Sequence, residues 1–75
     1  MKSRKTKRWV VRYDRATNVV EHLKKNGFKP RKARTYTDDL GNIVTIGPLN
    51  PPKSGERIIE STPGAVPIIE KALEK

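Results

Sequence analysis

The segment Asn26-Gly27-Phe28 ends a predicted helix and sets the layout of the first half of the chain. Before it, apolar residues recur at the i, i+3, i+4, i+7 spacing of one helix face: Ala16, Val19, Val20 and Leu23. Gly27 can adopt the left-handed conformation that ends a helix, and Phe28 can fold back on Leu23, as in a Schellman-type cap. We therefore expect a helix that is capped by Asp14 and runs to about Asn26.

A run of cations follows this helix end. Pro30 interrupts the run, so we expect its charges to face solvent or an anionic partner. Residues 1–34 hold 13 of the 17 Lys and Arg against two acids, a formal charge of +11, whereas residues 35–75 hold four against six acids, a charge of −2. A basic half joined to a slightly acidic half is typical of proteins that bind nucleic acid or another polyanion.

Length and composition predict one small domain with a thin core. The 75 residues leave room for a single domain over residues 8–75, after a disordered basic arm over residues 1–7. The absence of cysteine excludes disulfides and thiolate metal sites. No apolar stretch has the length of a signal peptide or a membrane span, so we expect no membrane partner and a cytoplasmic or nucleoid-associated location.

The first strand is predicted at residues 8–13, where β-branched and aromatic residues alternate with cations. We expect Trp9 and Val11 to pack under the helices, because their face has the larger apolar area. Arg8 and Arg12 then lie on the open face of the sheet. The alternative is that the aromatic face is a platform on which bases stack.

The remaining segments complete a small α+β fold. Strands at residues 32–37 and 43–46 flank a turn-rich segment and predict a β-hairpin, in which Arg34 and Tyr36 share a face of the first strand. After a proline-rich loop, residues 57–60 favour a strand, and a last helix carries the apolar stripe Ile68, Ile69, Ala72 and Leu73. The order β-α-β-β-(β)-α predicts a two-layer sandwich, an antiparallel sheet with two helices on one face, with a ferredoxin-like variant as the alternative.

The sequence contains no constellation that predicts catalysis. His22 is the only histidine, without a second metal ligand nearby in sequence, and we expect it to be structural. Asp38 and Asp39 are adjacent in a turn, where successive carboxylates usually both face water. We therefore expect a non-enzymatic protein with no cofactor and no metal.

The cations are expected to form one continuous positive surface with an aromatic in it, suited to phosphates and a base contact. In this arrangement Arg8 and Arg12 lie beside Arg34 and Tyr36 on a neighbouring strand. The surface predicts nucleic-acid binding through phosphate contacts, with DNA slightly favoured over RNA, and the alternative is a basic face that is only solvated. The candidate residues are Arg8, Arg12, Lys24, Lys25, Lys29, Arg31, Lys32, Arg34 and Tyr36, with Lys2, Arg4, Lys5 and Lys7 as an auxiliary arm.

Two families share short landmarks with the chain. Trp9-Val10-Val11, the helix end at residues 23–28 and the segment 44–49 resemble SPOR domains, which bind peptidoglycan glycans on a ferredoxin-like fold; the C-terminal third departs from that pattern. Trp9-Val10-Val11 with residues 61–65 is similar to the ends of the NusG N-terminal domain, whose central segment has no counterpart here. These resemblances imply the second function we consider, a non-catalytic protein- or glycan-binding adaptor with an incidental basic face. A homodimer through the last helix is compatible with either function.

Overall fold

The computed structural model describes residues 6–48 and 55–74. Its strands form one antiparallel sheet in the order β1-β5-β4-β3-β2. The two helices pack against each other over one face of this sheet, which confirms the predicted small α+β sandwich. The elements are β1 (Lys7–Arg12), α1 (Tyr13–Lys25), β2 (Lys29–Lys32), β3 (Thr35–Thr37), β4 (Ile43–Gly47), β5 (Glu56–Ser61), a 3₁₀ turn (Pro63–Ala65) and α2 (Val66–Leu73).

The core lies between the helices and the sheet. Apolar side chains from both layers are fully buried there: Val19, Leu23, Val44, Ile59 and Ile69. Trp9 and Val11 of β1 pack against this cluster, as predicted for the inward face of the first strand. All five strands precede α2 in the chain, which differs from a ferredoxin-like arrangement, where a strand follows the second helix.

The end of α1 has the predicted cap. The Phe28 N–H donates to the Leu23 carbonyl at 3.0 Å and the Gly27 N–H donates to the Lys24 carbonyl at 3.2 Å, the two hydrogen bonds of a Schellman motif. Gly27 has a φ of 91°, and Phe28 is buried with Leu23. The prediction that Asp14 caps the helix is wrong, because α1 begins two residues earlier, at Tyr13, and Arg12 is the N-cap, without a side-chain cap bond.

The strand β2 was not predicted, and it changes the hairpin. The sequence predicts one strand over residues 32–37, but a turn at Ala33 and Arg34 interrupts it. Lys32 is the last residue of β2, and residues 35–37 are the whole of β3. Strand β2 lies at the edge of the sheet and pairs with a neighbour on one side only. Such an edge strand tolerates Pro30, which has no backbone N–H to donate. The β3–β4 hairpin and the strand at residues 57–60 are confirmed, the latter as β5.

The loop between β3 and β4 is fixed to the start of the 3₁₀ turn. Asp38 Oδ2 accepts a hydrogen bond from Asn42 Nδ2 at 3.0 Å, and Asn42 Oδ1 accepts one from the Thr62 hydroxyl at 3.3 Å. The Thr62 hydroxyl also accepts from the Ile43 N–H at 3.1 Å. The closest atoms to a Cβ placed on Gly64 belong to the Asn42 side chain. This set of contacts, the loop latch, joins two segments that are distant in sequence.

The apolar stripe of α2 faces the chain's own core. Ile69 and Ala72 are buried, and Ile68 and Leu73 are half-buried against the same cluster. The Arg15 guanidinium also donates to the Leu73 carbonyl at 2.6 Å, which ties α1 to the end of α2. The homodimer through this helix remains a prediction. The apolar stripe of α2 already packs against the core of its own chain.

Candidate nucleic-acid interface

The cations of β1 lie close to carboxylates. Lys7 Nζ is 2.8 Å from a Glu70 carboxylate oxygen, and Arg8 Nη2 is 3.2 Å from a Glu60 oxygen. Arg12 Nε approaches Asp14 more loosely, at 4.0 Å. Lys7, which was assigned to the basic arm, is the first residue of β1, with its ammonium 5.5 Å from the centre of the Trp9 ring. The positive charge of this edge is therefore largely compensated.

The prediction that Arg34 and Tyr36 lie on the strand next to Arg8 and Arg12 is wrong, although Arg8 and Arg34 line the same depression on the open face. The neighbour of β1 is β5, and β4 separates β5 from β3. The sequence-based prediction put the β3–β4 hairpin directly beside β1. It failed because a local pattern does not encode which distant strands pair. The predicted continuous surface is divided by β5, which contributes Glu56 and Glu60 to the open face opposite Arg12 and Arg8.

Tyr36 lies on the helix side of the sheet, away from Arg8 and Arg12. It is opposite Val44 on β4 and Pro30 on β2, and it packs against the core. Because side chains alternate along a strand, Thr35 and Thr37 are the residues of β3 that reach the open face. Trp9 and Phe28 also pack on the helix side. The open sheet face therefore has no aromatic side chain among the residues of the five described strands.

The opposite edge of the sheet gathers cations without carboxylate partners. They lie on the last turn of α1, on β2 and in the turn after β2, and all are exposed. In residues 6–48 and 55–74 none of them is within ion-pair distance of an acid. We call this set the basic edge; its members are Lys24, Lys25, Lys29, Arg31, Lys32 and Arg34. All six are candidates from the sequence.

The basic edge continues onto the open face through threonine hydroxyls. Cross-strand pairing produces one row over all five strands: Arg8, Glu60, Thr45, Thr35 and Lys32. A shallow depression of about 500 Å³ opens beside this row, lined by Arg31, Lys32, Thr35, Thr37, Asp38, Gly41 and Ile43. Thr45 was not a candidate from the sequence, because its place opposite Thr35 depends on the register of β3 and β4, which the sequence pattern does not specify. Hydroxyl and guanidinium donors on one surface are the groups that bind phosphate oxygens.

Arg34 occupies the second position of the two-residue turn between β2 and β3. Its φ is 64°, in the left-handed region that costs a residue with a Cβ about 1–2 kcal/mol. The Arg34 carbonyl accepts a hydrogen bond from the Ile46 N–H at 2.9 Å, which holds the turn against β4. The side chain runs over Gly47, where Arg34 Cδ lies 3.5 Å from the position of an added Cβ.

Of the adjacent carboxylates Asp38 and Asp39 in the β3–β4 loop, that of Asp38 is held by hydrogen bonds from within the loop. Asp38 Oδ1 accepts from the N–H groups of Leu40 and Asn42, at 3.0 and 2.9 Å, and its other oxygen belongs to the loop latch. The hydrogen bond from the Asn42 side chain, joined by the two backbone donors, lowers the pKa of Asp38 below its ordinary value. The Asp38 carboxylate therefore stabilises the conformation of the β3–β4 loop.

The described residues also bear on metal binding and membrane insertion. In the part of the chain that the structure describes, no three His, Cys, Asp or Glu side chains are grouped so that they could hold a metal ion. Neither α1 nor α2 has the length and apolar character needed to cross a bilayer, and no other helix is described. His22 is half-buried on α1 beside Glu21 and Lys25.

Comparison with known proteins leaves the chain without an assigned family. No family model, no curated protein and no solved structure matches it. The resemblances to SPOR domains and to the NusG N-terminal domain gain no support from these comparisons. The chemistry of the basic edge is thus the basis for a functional proposal.

Proposed function

We propose that this protein is a non-enzymatic nucleic-acid-binding protein whose basic edge contacts the phosphate backbone. The observation that carries the proposal is the difference between the two edges of the sheet. Cations on β1 lie beside Glu60, Glu70 and Asp14, whereas the six cations of the basic edge have no acidic partner within the described ranges. Side chains that neutralise phosphates release counterions, so an uncompensated cluster is the one that gains most from a polyanion.

The geometry of the basic edge supports backbone contacts over base contacts. Lys29 and Lys32 lie opposite Thr37 and Thr35, so their side chains share the open face with two hydroxyl groups. Sheet modules that bind single-stranded RNA stack bases on exposed aromatics, and among the described residues of this open face there are none. We therefore propose duplex DNA as the ligand in preference to RNA.

The experiment is fluorescence anisotropy with labelled duplex DNA, single-stranded DNA and RNA of equal length, each titrated at about 50 and 200 mM salt. We expect micromolar or tighter binding to the duplex that weakens by at least tenfold at the higher salt concentration, since several phosphates are neutralised. Absence of binding to all three at low salt would refute the proposal. The protein- or glycan-binding alternative would then be the one to pursue.

A pair of variants localises the binding surface. Arg31→Ala with Lys32→Ala removes two charges from the basic edge, and we expect at least a tenfold loss of affinity and a smaller salt slope. Lys71→Ala with Arg57→Ala removes two charges from α2 and β5 and is the matched control. An equal loss in both variants would show that only net charge matters. Thermal melting of each variant establishes that it is folded.

A further inference from the structure

Arg34 is an unexpected residue for its backbone position. It is the only described residue other than glycine with a positive φ, at 64°. Glycine has no Cβ to strain there, and asparagine tolerates the left-handed region better than arginine does. The turn between β2 and β3 therefore favours a small residue over the one it contains.

The Arg34 side chain does not offset this strain within the described chain. No hydrogen bond or ion pair of its guanidinium is formed with residues 6–48 or 55–74. It lies exposed at the rim of a depression of about 450 Å³ on the open face, which Thr35, Thr45 and the ion-paired Arg8 and Glu60 also line. The aliphatic part of the side chain passes over Gly47, where Arg34 Cδ lies at an ordinary contact distance, 3.5 Å, from the position of an added Cβ.

We infer that the Arg34 guanidinium is the anchoring phosphate contact of the interface, presented by a strained turn. This inference rests on the proposed function and assigns one residue a particular role within it. The planar guanidinium presents paired N–H donors that match two oxygens of a phosphate, which a lysine ammonium does not. The turn held against β4 fixes the point from which the side chain leaves the backbone, so less backbone freedom is lost on binding.

The inference predicts that stability and binding respond in opposite directions at this residue. Arg34→Gly relieves the strain, and we expect its melting temperature to rise by about 4 °C. Its affinity for duplex DNA should fall at least tenfold, and its salt slope should decrease by about one ion. Arg34→Asn should show the same two changes, because asparagine also suits the left-handed region without carrying charge.

Arg31→Ala is the control for charge, and Arg34→Lys is the control for shape. Arg31 lies in β2 without a positive φ, so its replacement should weaken binding with no gain in melting temperature. Arg34→Lys keeps the charge and the strain but loses the paired donors, so we expect weaker binding at unchanged stability. Anisotropy titrations with the same duplex and thermal melts of all variants provide both readouts.

The possible failures are distinguishable. If wild-type protein binds the duplex in a salt-dependent manner but Arg34→Gly binds equally well, the role of Arg34 is refuted while the proposed function stands. If Arg34→Gly weakens binding without a rise in melting temperature, the strained presentation is refuted. If wild-type protein binds no nucleic acid, the proposed function fails together with this inference.

Discussion

Arg8 and Glu60 face each other across the β1–β5 pair, with Arg8 Nη2 3.2 Å from Glu60 Oε2 on the open face of the sheet. The carboxylate also stands in the cross-strand row that leads to Thr45, Thr35 and Lys32. An exposed pair of this kind adds little to stability, because solvent screens it. Its main effect is on the electrostatic potential of the face.

Glu60→Gln should therefore strengthen DNA binding. The substitution removes a negative charge and frees Arg8, and we expect affinity to rise about two- to fivefold at low salt, with the gain shrinking as salt screens the charges. Anisotropy at several salt concentrations measures this. Glu74→Gln, at the end of α2, makes the same change in net charge away from the row. An equal gain in that control would contradict a local effect of Glu60.

Tyr36→Leu should leave nucleic-acid affinity within about twofold of the wild-type value. The ring packs on the helix side, so its loss removes no base contact on the open face. The free energy of unfolding should fall by about 1–2 kcal/mol, since part of the core packing is lost. Urea denaturation and anisotropy at 10 °C give the two quantities. A large loss of affinity in a variant that remains folded would support the base contact first predicted for Tyr36.

Gly64→Ala should destabilise the fold through the loop latch. A Cβ on Gly64 meets the Asn42 side chain, which Asp38 and Thr62 hold in place, so the amide must move and its hydrogen bonds weaken. We expect a loss of about 1 kcal/mol in the free energy of unfolding.

The control for Gly64→Ala is the same substitution in an Asn42→Ala background, where the obstructing amide is absent. There the cost should largely disappear, a coupling that a double-mutant cycle in urea measures. Additive costs would mean that Gly64 is needed for a reason other than space.

Asp38 should make stability depend on pH in the acid range. Its pKa is lowered by the hydrogen bond from Asn42, so its contribution is complete above the ordinary value of 3.8 and is lost as the pH falls through the lower folded value. Asp38→Asn should therefore lose less stability than the wild-type protein between pH 5 and about pH 2.5. Urea midpoints across this range are the measurement. Asp39→Asn, which changes the neighbouring carboxylate but none of the hydrogen bonds of Asp38, is the control.

The features of the fold that were predicted correctly have local signals. The end of α1 depends on a glycine and an apolar residue in fixed positions after a helical stripe, and the hydrogen bonds of Phe28 and Gly27 follow from that short segment. The stripe of α2 and the inward face of β1 likewise reflect periodicity within one element. Such signals do not depend on which elements pack together.

The features that were missed depend on distant pairing. Strand β2 has a proline and three cations in four residues, a composition that indicates a strand only at a sheet edge. The orientation of Tyr36 follows from its register with Val44 and Pro30, which no pattern within residues 32–37 specifies. Of the candidate site, the sequence identified the cations of the basic edge, but the carboxylates that compensate Arg8 and Arg12 became apparent only with the β1–β5 pairing and the start of α1.

That pairing also bears on how the chain reaches its folded state. Strand β1 is synthesised before the other strands, yet its neighbour in the sheet is β5. Trp9 can pair with Ile59 only after about 50 more residues have been added. Bringing β1 and β5 together closes a long loop, and the loss of chain entropy opposes this step until the contacts between the two strands form. In contrast, α1 and the β2–β3–β4 meander form from segments that are neighbours in the sequence. We therefore expect the edge that carries Trp9 to be the last part of the sheet to form. Until then, its apolar face is open to solvent and to other chains.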